Sequence, residues 1–177
     1  MRQLDKRSRL SRRDFLATGG AAALIVGAGS LAAPSGAWSI EVETLKPETM
    51  RTLIQMARDI YPHDRLADHA YAQALAPYDT AAAKDAALKD LLESGVADLD
   101  TRAKAVHGAA YVQVGWEGQR VSLLETIETT AFFQKIRGGL VSGLYNNKAL
   151  WPKFGYEGES AAKGGYLERG FDDIDWV

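Results

Sequence analysis

Apolar residues recur at helical spacing along most of the chain. Met50, Leu53, Ile54, Ala57 and Ile60 are three or four positions apart, which predicts an amphipathic helix over 47–61. Pro47 is tolerated in the first turn of that helix. Pro62 ends it, because the residue before a proline, here Tyr61, is pushed out of the helical region. A second helix is expected over 66–78, with Ala70, Ala74, Leu75 and Tyr78 on one stripe and Pro77 at or beyond its end. Positions 81–92 are rich in Ala, Leu and Lys and predict a third, with Leu88, Leu91 and Leu92 buried and Gly95 as its stop. Asp98-Leu99-Asp100 caps the start of a further helix running toward Val114. Gly115 and Gly118 bracket Trp116 and mark a turn. Helical spacing resumes over 122–138 through Leu123, Ile127, Phe132, Phe133 and Ile136. Gly138-Gly139 either interrupts this helix or admits a close neighbour before Leu140, Val141 and Leu144. There is no sustained alternating strand pattern, no internal repeat and no long linker. The expected fold is all-α, a compact multi-helix domain.

The pattern changes at Tyr145. From there Trp151, Phe154, Tyr156, Tyr166, Phe171 and Trp176 alternate with Gly155, Gly158, Gly164, Gly165 and Gly170. Rings need burial, whereas glycines favour turns and close backbone approach. A loop-like segment of this composition is expected to wrap back on the helical body, to press into another protein, or to do both.

The first residues belong to a different kind of element. Ser11-Arg12-Arg13-Asp14-Phe15-Leu16 has the form of a twin-arginine export signal, in which Arg12, Arg13, Phe15 and Leu16 carry the motif. A weakly apolar stretch follows over 17–31, too short and too rich in Ala and Gly to span a bilayer comfortably. Ser35-Gly36-Ala37 then offers small residues at cleavage spacing. The expected organisation is a signal peptide over 1–37 and one domain over 38–177, with a short uncut N-terminal anchor as the alternative. The expected location is the periplasm. Twin-arginine export suits chains that fold before crossing, which suggests a cofactor or partner acquired inside the cell.

Composition narrows the chemistry. Residues 1–37 hold six of the 21 Lys and Arg and two of the 23 Asp and Glu, leaving 15 basic and 21 acidic residues and a net charge of −6 over 38–177. That balance argues against nucleic acid or anionic lipid as a direct partner. There is no cysteine, so the chain offers no thiolate metal site, iron–sulfur cluster, covalent c-type haem attachment or disulfide.

Candidate catalytic groups are sparse. His63-Asp64 and Asp68-His69 are the best local metal candidates if the loop after Pro62 turns tightly, although the spacing matches neither HExxH nor an EF-hand. An independent helical metalloenzyme built on these four is one alternative function, and an unrelated scaffold domain is another. His107 falls near Tyr111 on one predicted helical face, but no nucleophile accompanies it. Glu125 and Glu128 share a predicted helix face and would join Glu117 only if the fold made one cleft. Asp172, Asp173 and Asp175 form a further acidic group, read as surface or interface contacts beside Phe171 and Trp176. There is no GxSxG, no P-loop and no dinucleotide fingerprint after a strand.

Several stretches resemble the gluconate 2-dehydrogenase subunit 3 family. The leader is one, and Thr52-Leu53 through Ala57-Arg58-Asp59-Ile60-Tyr61-Pro62 another. Glu128-Thr129-Thr130-Ala131-Phe132-Phe133 follows. The most specific part is Gly143-Leu144-Tyr145, then Trp151-Pro152-Lys153-Phe154-Gly155-Tyr156-Glu157-Gly158, Gly164-Gly165-Tyr166-Leu167 and Gly170-Phe171-Asp172-Asp173-Ile174-Asp175-Trp176. The chain departs from the family in lacking the cysteines that some of its small subunits pair.

The resemblance implies a noncatalytic small subunit of a membrane-associated sugar or sugar-acid dehydrogenase. No cofactor is expected in this chain. FAD is expected in the partner catalytic subunit, and a cytochrome c subunit is a further partner of such complexes. Membrane association would be indirect, through the complex. The small subunit would assist maturation, stability and co-export of the flavoprotein. On the sequence alone, Trp151, Tyr156, Tyr166, Phe171 and Trp176 are the expected partner contacts, each of which could instead close the domain's own core.

Overall fold

The computed structural model describes residues 42–168 and Phe171. Arg12, Arg13, Phe15 and Leu16, expected to carry an export signal, lie outside this range, as do Gly170, Asp172, Asp173, Asp175 and Trp176. The described part is all-α, with helices α1 (Pro47–Ile60), α2 (Asp68–Ala82), α3 (Ala86–His107), α4 (Glu117–Glu125), α5 (Ala131–Tyr145) and the single turn α6 (Trp151–Phe154). Short 3₁₀ turns occupy Tyr111–Gln113 and Ser160–Lys163. None of these helices is long and apolar enough to cross a membrane.

Helix α1 is the central element and contacts α2, α3, α4, α5 and the first 3₁₀ turn. Met50, Leu53, Met56 and Ala57 are buried on one side of it, each large side chain contributing about 1.5–3 kcal/mol relative to exposure. Its first turn is capped from another helix. Glu93 of α3 accepts the Lys46 backbone N–H at 3.0 Å and the Thr49 hydroxyl at 3.0 Å. Asp79 of α2 accepts the backbone N–H groups of Glu43, Thr44 and Leu45 at 2.9, 3.1 and 2.8 Å, tying down the lead-in to α1.

Helix α2 continues through Pro77 to Ala82, four residues past the expected end. Pro77 cannot bond the carbonyl of Gln73, but both residues face solvent, so water can satisfy that oxygen. Helix α3 is likewise one 22-residue helix where two were expected. Gly95 does not end it. A Cβ at Gly95 would collide with the Phe132 ring, so this glycine lets α5 approach. The actual stop is Gly108, left-handed at φ 71°, whose N–H reaches the Lys104 carbonyl.

The helix expected over 122–138 is split into α4 and α5. The Thr126 and Thr130 hydroxyls donate to the Leu123 and Ile127 carbonyls, and Thr130 then caps α5 by accepting the Phe133 N–H at 3.2 Å. Gly138-Gly139 does not interrupt α5. Helices α2 and α5 make the most extensive helix pair, and Gly139 and Gly143 face Tyr78 and Ala74 there. The Tyr78 hydroxyl donates to the Lys135 carbonyl at 2.7 Å across the space that Gly139 leaves open. At Tyr145, where the sequence changes character, the long helices end and a turn-rich segment begins.

Candidate functional site

Two neighbouring regions carry the unusual chemistry, a polar cleft at the end of α1 and the aromatic segment after α5. The cleft is built on Asp59, which lies on the buried side of α1. Arg120 of α4 grips Asp59 with two bonds, Nε to Oδ2 at 2.8 Å and Nη2 to Oδ1 at 2.9 Å. Arg120 Nη1 also donates to the Val114 carbonyl at 2.8 Å. The Tyr111 hydroxyl donates to Asp59 Oδ2 at 2.7 Å, and Gln55 Nε2 lies within 3.1 Å of Oδ1.

Both oxygens of this buried carboxylate therefore have donors, as a buried charge requires. Burial, and after it the Asp59 charge, pushes the Tyr111 phenol far above its ordinary range, so Tyr111 acts as a fixed donor. The bonds to Asp59 raise Arg120 despite its partial burial. Above this floor opens a cleft of about 260 Å³, rimmed by Arg58, Pro62, His63, Asp64 and Glu117.

The loop joining α1 to α2 is pinned by Tyr71, which donates to the Tyr61 carbonyl at 2.6 Å and accepts the His63 N–H at 3.1 Å. Burial raises the Tyr71 phenol, in keeping with a donor held inside. This places His63 against the other region. His63 Nε2 is 2.9 Å from the Tyr145 hydroxyl. Its ring meets the Phe154 ring at a centroid distance of 4.9 Å and the Tyr145 ring at 5.7 Å. Tyr61 joins the group edge-on to Tyr145 at 5.9 Å.

Past this hub the segment folds on itself. Trp151 Nε1 donates to the Tyr145 carbonyl at 2.7 Å, and Lys148 lies 5.3 Å from the Trp151 ring. Gly155, at φ 74°, reverses the chain after α6, so that Tyr156 meets Trp151 edge-on at 5.0 Å. A side chain at Gly155 would be strained in this left-handed conformation. Ion pairs Lys148–Glu159 and Lys163–Glu157 link the succeeding turns.

Of the expected contact residues, Trp151 is half-buried within this local fold. Tyr156, Tyr166 and Phe171 are 49, 63 and 77 % exposed, and Leu167 between them is 89 % exposed. Trp176 lies outside the described residues. Sequence reasoning missed Leu167 because it is one aliphatic residue among rings. It also read Trp116 only as a turn marker, yet that ring is 73 % exposed, as is much of Val106.

Two of the four candidate metal residues, His63 and Asp68, are engaged elsewhere, and Asp64 lines the cleft. His63 bonds Tyr145, Asp68 pairs with Arg58, and His69 lies at the start of α2. Among the described residues no group of three or more His, Asp or Glu side chains is arranged to hold a metal ion. His107 ends α3 and Tyr111 lies beyond the Gly108 reversal, so the two do not share a helix face. Glu125 is the last residue of α4 and Glu128 lies in the following turn, so this pair is not on one continuous helix either. The signal for the Asp59 network was present as a carboxylate in register with Thr52 and Met56, on the apolar stripe of α1.

Compared with protein-family models, with curated proteins and with solved structures, the chain matches none.

Proposed function

We propose that this chain is a noncatalytic partner subunit, exported to the periplasm by the twin-arginine route together with a flavin-containing dehydrogenase that acts on sugars or sugar acids. The observation that carries the proposal is the exposure of Tyr156, Tyr166, Leu167 and Phe171 on a segment anchored to the helical body through Tyr145, Leu150 and Phe154. Rings on an anchored support lose little conformational freedom on binding and bury a large area. The resemblance of this segment to the gluconate 2-dehydrogenase subunit 3 family supplies the kind of partner, with FAD in the catalytic subunit and a cytochrome c subunit as a further member. The Arg12-Arg13 leader supplies the route.

The subunit acts by linkage. A partner that binds only the folded flavoprotein stabilises it by RT ln(1 + [L]/Kd), about 2.7 kcal/mol at a hundredfold excess over Kd. The same docking carries a leaderless flavoprotein across the membrane with this chain's leader. The test is the substitution Arg12→Lys with Arg13→Lys in the native host. Both proteins are expected to remain in the cytoplasm, with dehydrogenase activity missing from the periplasmic fraction. Normal periplasmic dehydrogenase in that strain would refute obligate co-export.

A further inference from the structure

We infer that His63 is the positioning residue of the docking segment, a latch on the α1–α2 loop that holds the segment in its binding conformation. The inference extends the docking role proposed above and rests on it for its binding arm only. Three observations converge on His63.

Its Nε2 is 2.9 Å from the Tyr145 hydroxyl, at the point where α5 gives way to the segment. Its ring lies 4.9 Å from that of Phe154, which is itself 5.2 Å from the Tyr145 ring. His63 is also a fixed support, because the buried Tyr71 phenol holds its backbone N–H and the preceding Tyr61 carbonyl together.

Among the described residues the segment has few other ties to the body. Phe154 is half-buried against the core, Leu150 is buried in it, and the Tyr61 ring meets Tyr145 edge-on. The Trp151 indole, the ion pairs Lys148–Glu159 and Lys163–Glu157, and the Trp151–Tyr156 pair all lie within the stretch from Tyr145 onward. They shape the segment without fixing it to α1 or α2. His63 therefore supplies a polar tie between the segment's root and a distant part of the sequence, 82 positions away. Ordering the segment in advance removes that cost from docking, so loosening the latch weakens binding even though every docking side chain is still present.

The experiment uses the full chain with four variants, His63→Ala, His63→Gln, Tyr145→Phe and Phe154→Ala. Amide hydrogen exchange is read residue by residue, beside the melting temperature. One hydrogen bond of ordinary net strength corresponds to roughly a three- to tenfold change in an equilibrium. His63→Ala and Tyr145→Phe are expected to raise exchange at positions 151–156 by about that factor, with protection in α2 and α3 unchanged. Phe154→Ala should do the same by removing the ring that packs on His63 and Tyr145. His63→Gln, which keeps a polar atom near the Nε2 position but loses the ring, should recover part of the protection.

In the binding arm, the flavoprotein that co-purifies with the unmodified chain is titrated with each variant. Its affinity is expected to fall by the same factor for His63→Ala and to recover in part for His63→Gln. Unchanged exchange at 151–156 in His63→Ala would overturn the latch. So would exchange that rises equally through α1–α5, which would mark His63 as an ordinary stabilising residue. A positive exchange result with unaltered affinity would overturn the coupling to docking. Absence of any flavoprotein bound to the unmodified chain would instead overturn the docking role, leaving exchange to decide the latch.

Discussion

Asp59 occupies a helix position where the neighbouring turns place Met56 and Leu53 in the core, and it remains there because Arg120, Tyr111 and Gln55 satisfy it. Removing one partner of a buried ion pair leaves an uncompensated charge, at a typical cost of about 3–5 kcal/mol. Arg120→Met is accordingly expected to lower the unfolding free energy by about 3 kcal/mol in urea titration. A change under about 1 kcal/mol, the range of an exposed pair, would show that water reaches Asp59.

Asp79 and Glu93 give a second expectation at this scale. Burial raises the Asp79 carboxyl, but the N–H groups of Leu45, Glu43 and Thr44 together outweigh it and hold the group below its ordinary value. In Glu93 burial is likewise outweighed, here by Lys46 and Thr49. Carboxyls depressed in the folded state stabilise above their unfolded values and lose that contribution as pH falls through the folded ones. Stability should therefore decline as pH drops below about 4.5 and continue falling past the ordinary carboxyl range. Asp79→Asn should flatten this acid limb and lower stability at neutral pH by about 2 kcal/mol. An acid limb identical to that of the unmodified chain would contradict the role given to Asp79.

At the scale of elements, glycines in α5 have opposite expected effects. A Cβ at Gly138 would meet nothing within 4 Å, so Gly138→Ala should stabilise by up to about 1 kcal/mol through helix propensity. At Gly143 a Cβ would come 3.1 Å from the Ala74 carbonyl oxygen, which is backbone and cannot swing aside. Gly143→Ala should cost about 1–3 kcal/mol by overpacking. Thermal melts of the two variants should shift in opposite directions, and equal shifts would contradict the close α2–α5 packing.

These glycines also show how far the elements were legible. Helix α1 was readable almost to the residue, because its apolar stripe is regular and Pro62 stops it. Gly95 and Pro77 misled, since a glycine facing a ring and a proline facing water are both compatible with a continuing helix. The α4–α5 break was not readable from periodicity, because Ile127 stays buried across it and threonine hydroxyls make the turn. Of the site, the ring-rich segment was evident in composition. Its anchor at His63 was not, because that bond joins residues far apart in sequence and depends on how Tyr71 folds the loop.

Over the described residues, a helical body with a buried polar centre carries a ring-bearing segment on its surface. Among the described residues of the segment, the ion pairs Lys148–Glu159 and Lys163–Glu157 occupy positive charge that could otherwise bind an anionic surface, and the domain is acidic overall. Docking is therefore expected to depend on buried apolar area and to change little with salt. Tyr166→Ser with Leu167→Ser should leave the melting temperature of the isolated chain unchanged, since both side chains are largely exposed, and should abolish co-purification of a partner. A fall in melting temperature comparable to that of a core substitution would place these side chains in the domain's own core.

The most direct measurement is the absorbance spectrum and subunit stoichiometry of this protein purified from its native host. A flavin spectrum is expected, from a larger subunit present in roughly equal amount with this chain. A monomer without flavin, with Tyr166 and Phe171 shielded from solvent by its own helices, would contradict the account.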